Sequence, residues 1–151
     1  MAISVYEVLI TQSPLELPAR GMDSASGAMV EFWGIVRALE DGKEITGIDY
    51  EAHREMAEHQ MRNIAEIAAS KFGLAKIALR HRVGFVPAGE ASVVVRVESA
   101  HRAAAFNANQ WIMDELKRTV PIWKKPVYQE EEAPPSAGKS QDILDSASAR
   151  A

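Results

Sequence analysis

The sequence predicts an α+β domain, a two-layer antiparallel sheet with two main helices. Three observations predict it. Short runs of alternating apolar residues recur along the chain, as in Ile77, Leu79, His81, Val83 and again in Val93, Val95, Val97. Two longer segments carry apolar residues at helical spacing instead. The order of these segments is strand, hairpin, helix, hairpin, helix, which reads as α+β with a mostly antiparallel sheet. A chain of 151 residues with 47% hydrophobic and 25% charged content is long enough for one domain with a real core.

Ile3 to Thr11 is short and β-rich, a first strand. Pro14 and Pro18 then break the chain, and Gly21 to Gly27 is a loop of small residues. Ala28 to Arg37 reads as a strand, with Gly34 marking a bulge or a close backbone approach. Asp41-Gly42 is a turn signal, after which Ile45 to Ala52 is expected to return as the partner strand of a hairpin. Glu55 to Phe72 is a helix whose stripe is Ala57, Met61, Ile64, Ala68 and Phe72, and Gly73 stands where a left-handed cap belongs. The two alternating runs that follow form a second hairpin around Pro87 and Gly89. A second helix runs from about His101 to Val120 and must stop at Pro121. Residues 1–128 form the domain. Gln129 to Ala151, rich in Glu, Ser, Ala and Pro, reads as a flexible tail.

The formal net charge is -4, yet His101 to Lys125 gathers His101, Arg102, Lys117, Arg118, Lys124 and Lys125 beside only Asp114 and Glu115. A basic cluster in an acidic chain is a local device for holding an anion. Nucleic-acid binders are basic over a whole face, so no nucleic acid is expected. No apolar run approaches a membrane span and no secretory signal is evident, which points to the cytoplasm. The chain has no cysteine, so disulfides and thiolate chemistry are absent, and sulfur chemistry would need sulfur delivered by another molecule. The four histidines lack ligand spacing, so neither a metal nor a cofactor is expected.

On the second helix, Arg102 and Asn109 fall on the apolar face and Lys117 at its edge. An inward arginine needs a partner. Two readings stay open: an ion pair with Glu51 or Glu98, or a bound anion at the helix N-terminus, where free N–H groups favour negative charge. His101 sits at the same helix start. Lys117 and Lys124, separated by Pro121, are either solvated lysines suited to a helix C-terminus or neighbours that suppress each other's charge and yield a reactive amine. Trp33, Trp111 and Trp123 could pack the core or wall a heterocycle.

Five blocks then resemble one family: FWGIVR (Phe32 to Arg37), YEAHREMAE (Tyr50 to Glu58), HRVG (His81 to Gly84), ESAHRAAAF (Glu98 to Phe106) and DELKRTVPIWKK (Asp114 to Lys125). In this order they resemble the large, catalytic subunit of molybdopterin synthase, over roughly residues 28 to 128. The resemblance implies a hammerhead-type α+β fold. It implies a central homodimer within a heterotetramer, with a small ubiquitin-like sulfur carrier at each end. The implied reaction moves sulfur from the carrier's thiocarboxylated C-terminal glycine onto cyclic pyranopterin monophosphate, forming the dithiolene of molybdopterin. Residue by residue, it implies that Ile35, Val36, Arg37, His101, Arg102, Lys125 and Pro126 contact substrate together with Lys117 and Lys124, and that these two lysines are catalytic. Two departures stand out. Pro126 replaces an acidic residue usual in the family, and the tail lacks a tryptophan-containing segment.

Overall fold

The computed structural model describes residues 5–20 and 24–129, together with the backbone of 149–150. Two sheets and two helices build it. The first sheet has four strands, β1 (Val5–Thr11), β5 (Lys76–Arg82), β7 (Ala91–Ser99) and β2 (Ala28–Ile35), in the order β1-β5-β7-β2. The second has β3 (Leu39–Glu40), β4 (Lys43–Ala52), β8 (Ile122–Tyr128) and β9 (Ala149–Arg150) in sequence, with β6 (Gly84–Pro87) beside β3 on the edge of β4 opposite β8. Every pairing is antiparallel except β1 with β5. Helix α1 (Arg54–Phe72) connects β4 to β5, and α2 (Arg102–Thr119) connects β7 to β8.

The helices obey their sequence. On α1, Ala57, Met61, Ile64 and Ala68 are buried, and Gly73 closes the helix at φ 64° with its N–H bonded to Ala69 O. The His53 side chain caps the other end, accepting the Met56 N–H at 3.3 Å. On α2, Ala105, Ala108, Ile112 and Leu116 pack on the sheet, and the helix stops before Pro121. Asn109 is buried among them and donates from Nδ2 to the carbonyls of Val30 (3.2 Å) and Val95 (3.0 Å), spanning β2 and β7. No helix among the described residues is long and apolar enough to cross a membrane.

Several expectations need correction. Ala28 to Arg37 does not form a hairpin with Ile45 to Ala52: β2 pairs with β7, and β4 belongs to the other sheet. The Asp41-Gly42 turn is real, but it joins β4 to the two-residue β3, with φ of 51° and 77° at the turn. The second hairpin holds as β5 and β7, while the segment between them leaves as β6 to pair with β4. Ile122 to Tyr128, to which the sequence reading assigns no element, is a full strand pairing with β4 from Ala52 to Ile45. Pro126 sits opposite Ile48 within this strand without ending it. Arg102 is exposed rather than inward, and the buried Glu98 is paired with Arg20 at 3.1 Å. Asn109 is the polar residue that the sheet face accepts, because two carbonyls satisfy it. Most of Gln129 to Ala151 lies outside the described residues; Ala149 and Arg150 pair with Lys124 and Trp123 on β8.

Candidate active site

Between the two sheets, at the C-terminal end of α2, lies a cleft of about 520 Å³. The end of β2 and the residues after it supply Phe32 to Arg37 to one wall. The last turns of α2 supply Met113, Leu116 and Lys117. Ile48 and Tyr50 from β4 and Ile122 and Lys124 from β8 come from the opposite sheet. Gly34 allows the wall to approach: a Cβ there would lie 2.6 Å from Val93 Cγ1, and the β2–β7 register shifts at this point.

Three cations line this cleft, Arg37, Lys117 and Lys124. Arg37 and Lys117 are exposed, and Lys124 is half-buried. Lys124 reaches the cleft because alternation along β8 puts Ile122, Lys124, Pro126 and Tyr128 on the better-buried face, while Trp123, Lys125 and Val127 are exposed on the other. Its Cα partner across the ladder is Tyr50.

The floor is polar but neutral. His81 is buried, edge-on to Tyr50 with ring centroids 5.3 Å apart. Its Nδ1 lies 2.8 Å from Arg82 O, and since a carbonyl only accepts, Nδ1 carries the proton and Nε2 the lone pair. Burial lowers the His81 pKa to about 4, although the Arg82 carbonyl pulls the other way. Tyr50 is pushed above the usual phenol value chiefly by burial, with the Ser92 bond opposing and the charge of Glu40 assisting. On the wall, the Trp33 indole donates to Glu31 at 2.9 Å, and Glu31 is held from its other oxygen by Arg96 at 2.6 Å. Burial would raise the Glu31 pKa, but these bonds together bring it below the ordinary value.

Of the sequence-derived site residues, Ile35, Val36, Arg37, Lys117 and Lys124 meet in the cleft. His101, Arg102, Lys125 and Pro126 do not line it. Arg102 and Lys117 sit at opposite ends of α2, about 15 residues apart, or about 22 Å along the axis. One copy of the chain therefore cannot aim both at one phosphate. Lys125 is exposed on the far face of β8, and Pro126 is buried further along the strand. Sequence reasoning missed Glu40, Tyr50, His81 and Ser92. The signal for the first was its position before the Asp41-Gly42 turn; the others follow only from which strands become neighbours.

Comparison with known proteins bears on this geometry. The family model described as MoaE protein matches residues 10–119. The molybdopterin synthase catalytic subunit of Thermoplasma volcanium is 42% identical over 117 residues, covering 78% of this chain and 85% of the relative. The human molybdopterin synthase catalytic subunit is 43% identical over 104 residues, covering 69% of this chain, which spans 55% of that relative. Among solved structures, molybdopterin synthase from Staphylococcus aureus aligns with a TM-score of 0.74 at 29% identity, over 81% of this chain and 91% of its own. The match runs from β1 to the end of α2 and takes in the cleft's β2 wall, its floor and Lys117, and by it this chain belongs to the MoaE family, to which molybdopterin synthase catalytic subunits belong.

Proposed function

We propose that this chain is the catalytic subunit of a molybdopterin synthase, a sulfurtransferase that uses the cleft between its sheets. It takes sulfur from the thiocarboxylated C-terminus of a small ubiquitin-like carrier and places it on cyclic pyranopterin monophosphate. The observation that carries the reading is the convergence of Arg37, Lys117 and Lys124, from three separate elements, on one cleft. The acceptor is a phosphate ester and the donor an anion, so both need positive charge to meet. Arg37 offers a planar, permanently charged fork for phosphate. Lys117, exposed on the rim, is where an incoming carrier tail arrives first, and it serves in proton transfer beside the reacting carbon. Lys124 acts from the opposite wall. Attack by the thiocarboxylate sulfur forms a carbon–sulfur bond as a carbon–oxygen bond at the same carbon breaks, the displaced oxygen leaving protonated as water or staying on the opened phosphate ester, and an acyl–sulfur link to the carrier remains. Water must cleave that link to return the carrier's carboxylate, and two such rounds complete a dithiolene.

In this reading residues 1–128 are the catalytic domain, and the active unit is a homodimer carrying one carrier at each end. The separation of His101 and Arg102 from the cleft supports the homodimer, because a second copy could bring that helix start to the phosphate. Lys125 and Pro126 then act at the edge of β8 rather than inside the cleft. A reducing cytoplasm suits a thiocarboxylate, and the chain itself has no thiol to exchange with it.

Reconstitution tests this reading: full chain, thiocarboxylated carrier and cyclic pyranopterin monophosphate, scored for dithiolene product. Wild type should turn over, and Lys117→Ala should lose about 10²-fold or more of kcat. An unchanged Lys117→Ala would refute its role. Carrier binding by wild type without any product would show a non-catalytic binding relative instead.

A further inference from the structure

The residues lining the cleft include one carboxylate, Glu40. It ends β3 just before the two-residue Asp41-Gly42 turn, and its Cα partner is Lys43 on the far side of that turn. Positive φ at both turn residues (51° and 77°) makes this a tight hairpin, so the Glu40 backbone is fixed relative to β4. Its Oε1 lies 3.7 Å from Lys124 Nζ, with the two side chains only 18% and 29% exposed. Glu40 and the buried Tyr50 line the same cleft, and the Glu40 charge helps to raise the Tyr50 pKa. A carboxylate in a site built for an anion is a cost to binding unless it serves the chemistry.

We propose that Glu40 is a positioning residue: it holds the Lys124 ammonium over the cleft floor, at the expense of some affinity for the anionic substrate. This rests on the sulfur-transfer reading above. Two effects of opposite sign follow from one charge. Fixing the long, flexible lysine puts its proton where the reaction needs it, which favours kcat. The same carboxylate repels the substrate's phosphate and competes for Lys124, which raises KM. A residue that only stabilised the hairpin would produce neither effect in this combination.

The full chain is compared with Glu40→Gln and Glu40→Asp in two measurements. The first is the rate of acetylation of Lys124 by acetic anhydride, read by mass spectrometry with Lys117 as internal reference. Glu40→Gln should speed Lys124 labelling about two- to fivefold, the range of a partly exposed ion pair, and leave Lys117 unchanged. The second is steady-state turnover, where Glu40→Gln should lower kcat and KM together, by a similar two- to fivefold. Glu40→Asp keeps the charge but loses one methylene of reach. It should restore the wild-type KM and recover only part of kcat. Equal Lys124 labelling in wild type and Glu40→Gln would overturn the proposal, as would faster labelling with unchanged kcat and KM. Absence of product from wild type would refute the sulfur-transfer reading, and the labelling would then decide alone whether Glu40 holds Lys124.

Discussion

His81 makes the acid stability of this protein a measurable consequence of the cleft's floor. The imidazole is buried, with Tyr50 against its ring and the Arg82 carbonyl on Nδ1. Its folded pKa lies at about 4 against 6.5 for a free imidazole. Between these values the unfolded chain binds a proton that the folded chain refuses. Stability from this group is therefore complete above pH 6.5 and drains away as pH falls toward 4. A displacement of that size is worth about 3 kcal/mol, most of it between pH 7 and pH 4.5. The variant His81→Asn places an amide N–H where Nδ1 donates and has nothing to titrate in this range. Urea denaturation of both proteins at pH 7 and pH 4.5 isolates the effect, because the carboxylates titrate alike in each. Wild type should lose about 2–3 kcal/mol more than His81→Asn over that interval. Parallel losses would refute the account and show that His81 protonates without unfolding.

Further substitutions test the packing that places the cleft. A Cβ on Gly47 would lie 2.3 Å from the Val86 carbonyl oxygen, a backbone atom with no room to yield. Gly47→Ala should thus push β6 off β4 and destabilise by about 1–3 kcal/mol, seen in the urea midpoint. Asn109→Leu leaves the Val30 and Val95 carbonyls without their shared donor and should cost about 1–3 kcal/mol by the same assay. Met61 has no exposed surface, and Met61→Ala should cost about 2–5 kcal/mol in calorimetric or urea unfolding.

Much of this was legible in the sequence, and the reasons are local. The α1 stripe and Gly73, the α2 stop at Pro121 and the Gly34 irregularity each depend on residues within a few positions of one another. The helical wheel puts Lys117 at the edge of the apolar face, and only the family resemblance puts it in the site. Strand partners were not legible. Nothing in Ala28 to Ile35 says that β7 rather than β4 lies beside it, because both candidates are long strands with apolar residues to pack. Ile122 to Tyr128 was hidden by its two lysines and Pro126, which look like a loop until one face is buried. Arg102 was misassigned because a helical wheel gives angle but not depth: it lies in the first turn, beyond the end of the packed face, where an inward angle still leads to solvent. The floor of the cleft was invisible for the same reason as the strand order. Tyr50, His81 and Ser92 come from three strands, and only the arrangement of those strands makes them neighbours.

The pairing of β4 with β8 has a temporal meaning as well. Tyr50 and Lys124 face each other across 74 positions of chain, and β8 follows both helices. During synthesis the first sheet can be complete once Ser99 has emerged, because all its strands precede α2. The cleft cannot, since the β8 part of its second wall, Ile122 and Lys124, arrives almost last. A nascent or truncated chain ending before Ile122 would lack Ile122 and Lys124, and with Lys124 one of the three cations that the cleft needs to hold an anion.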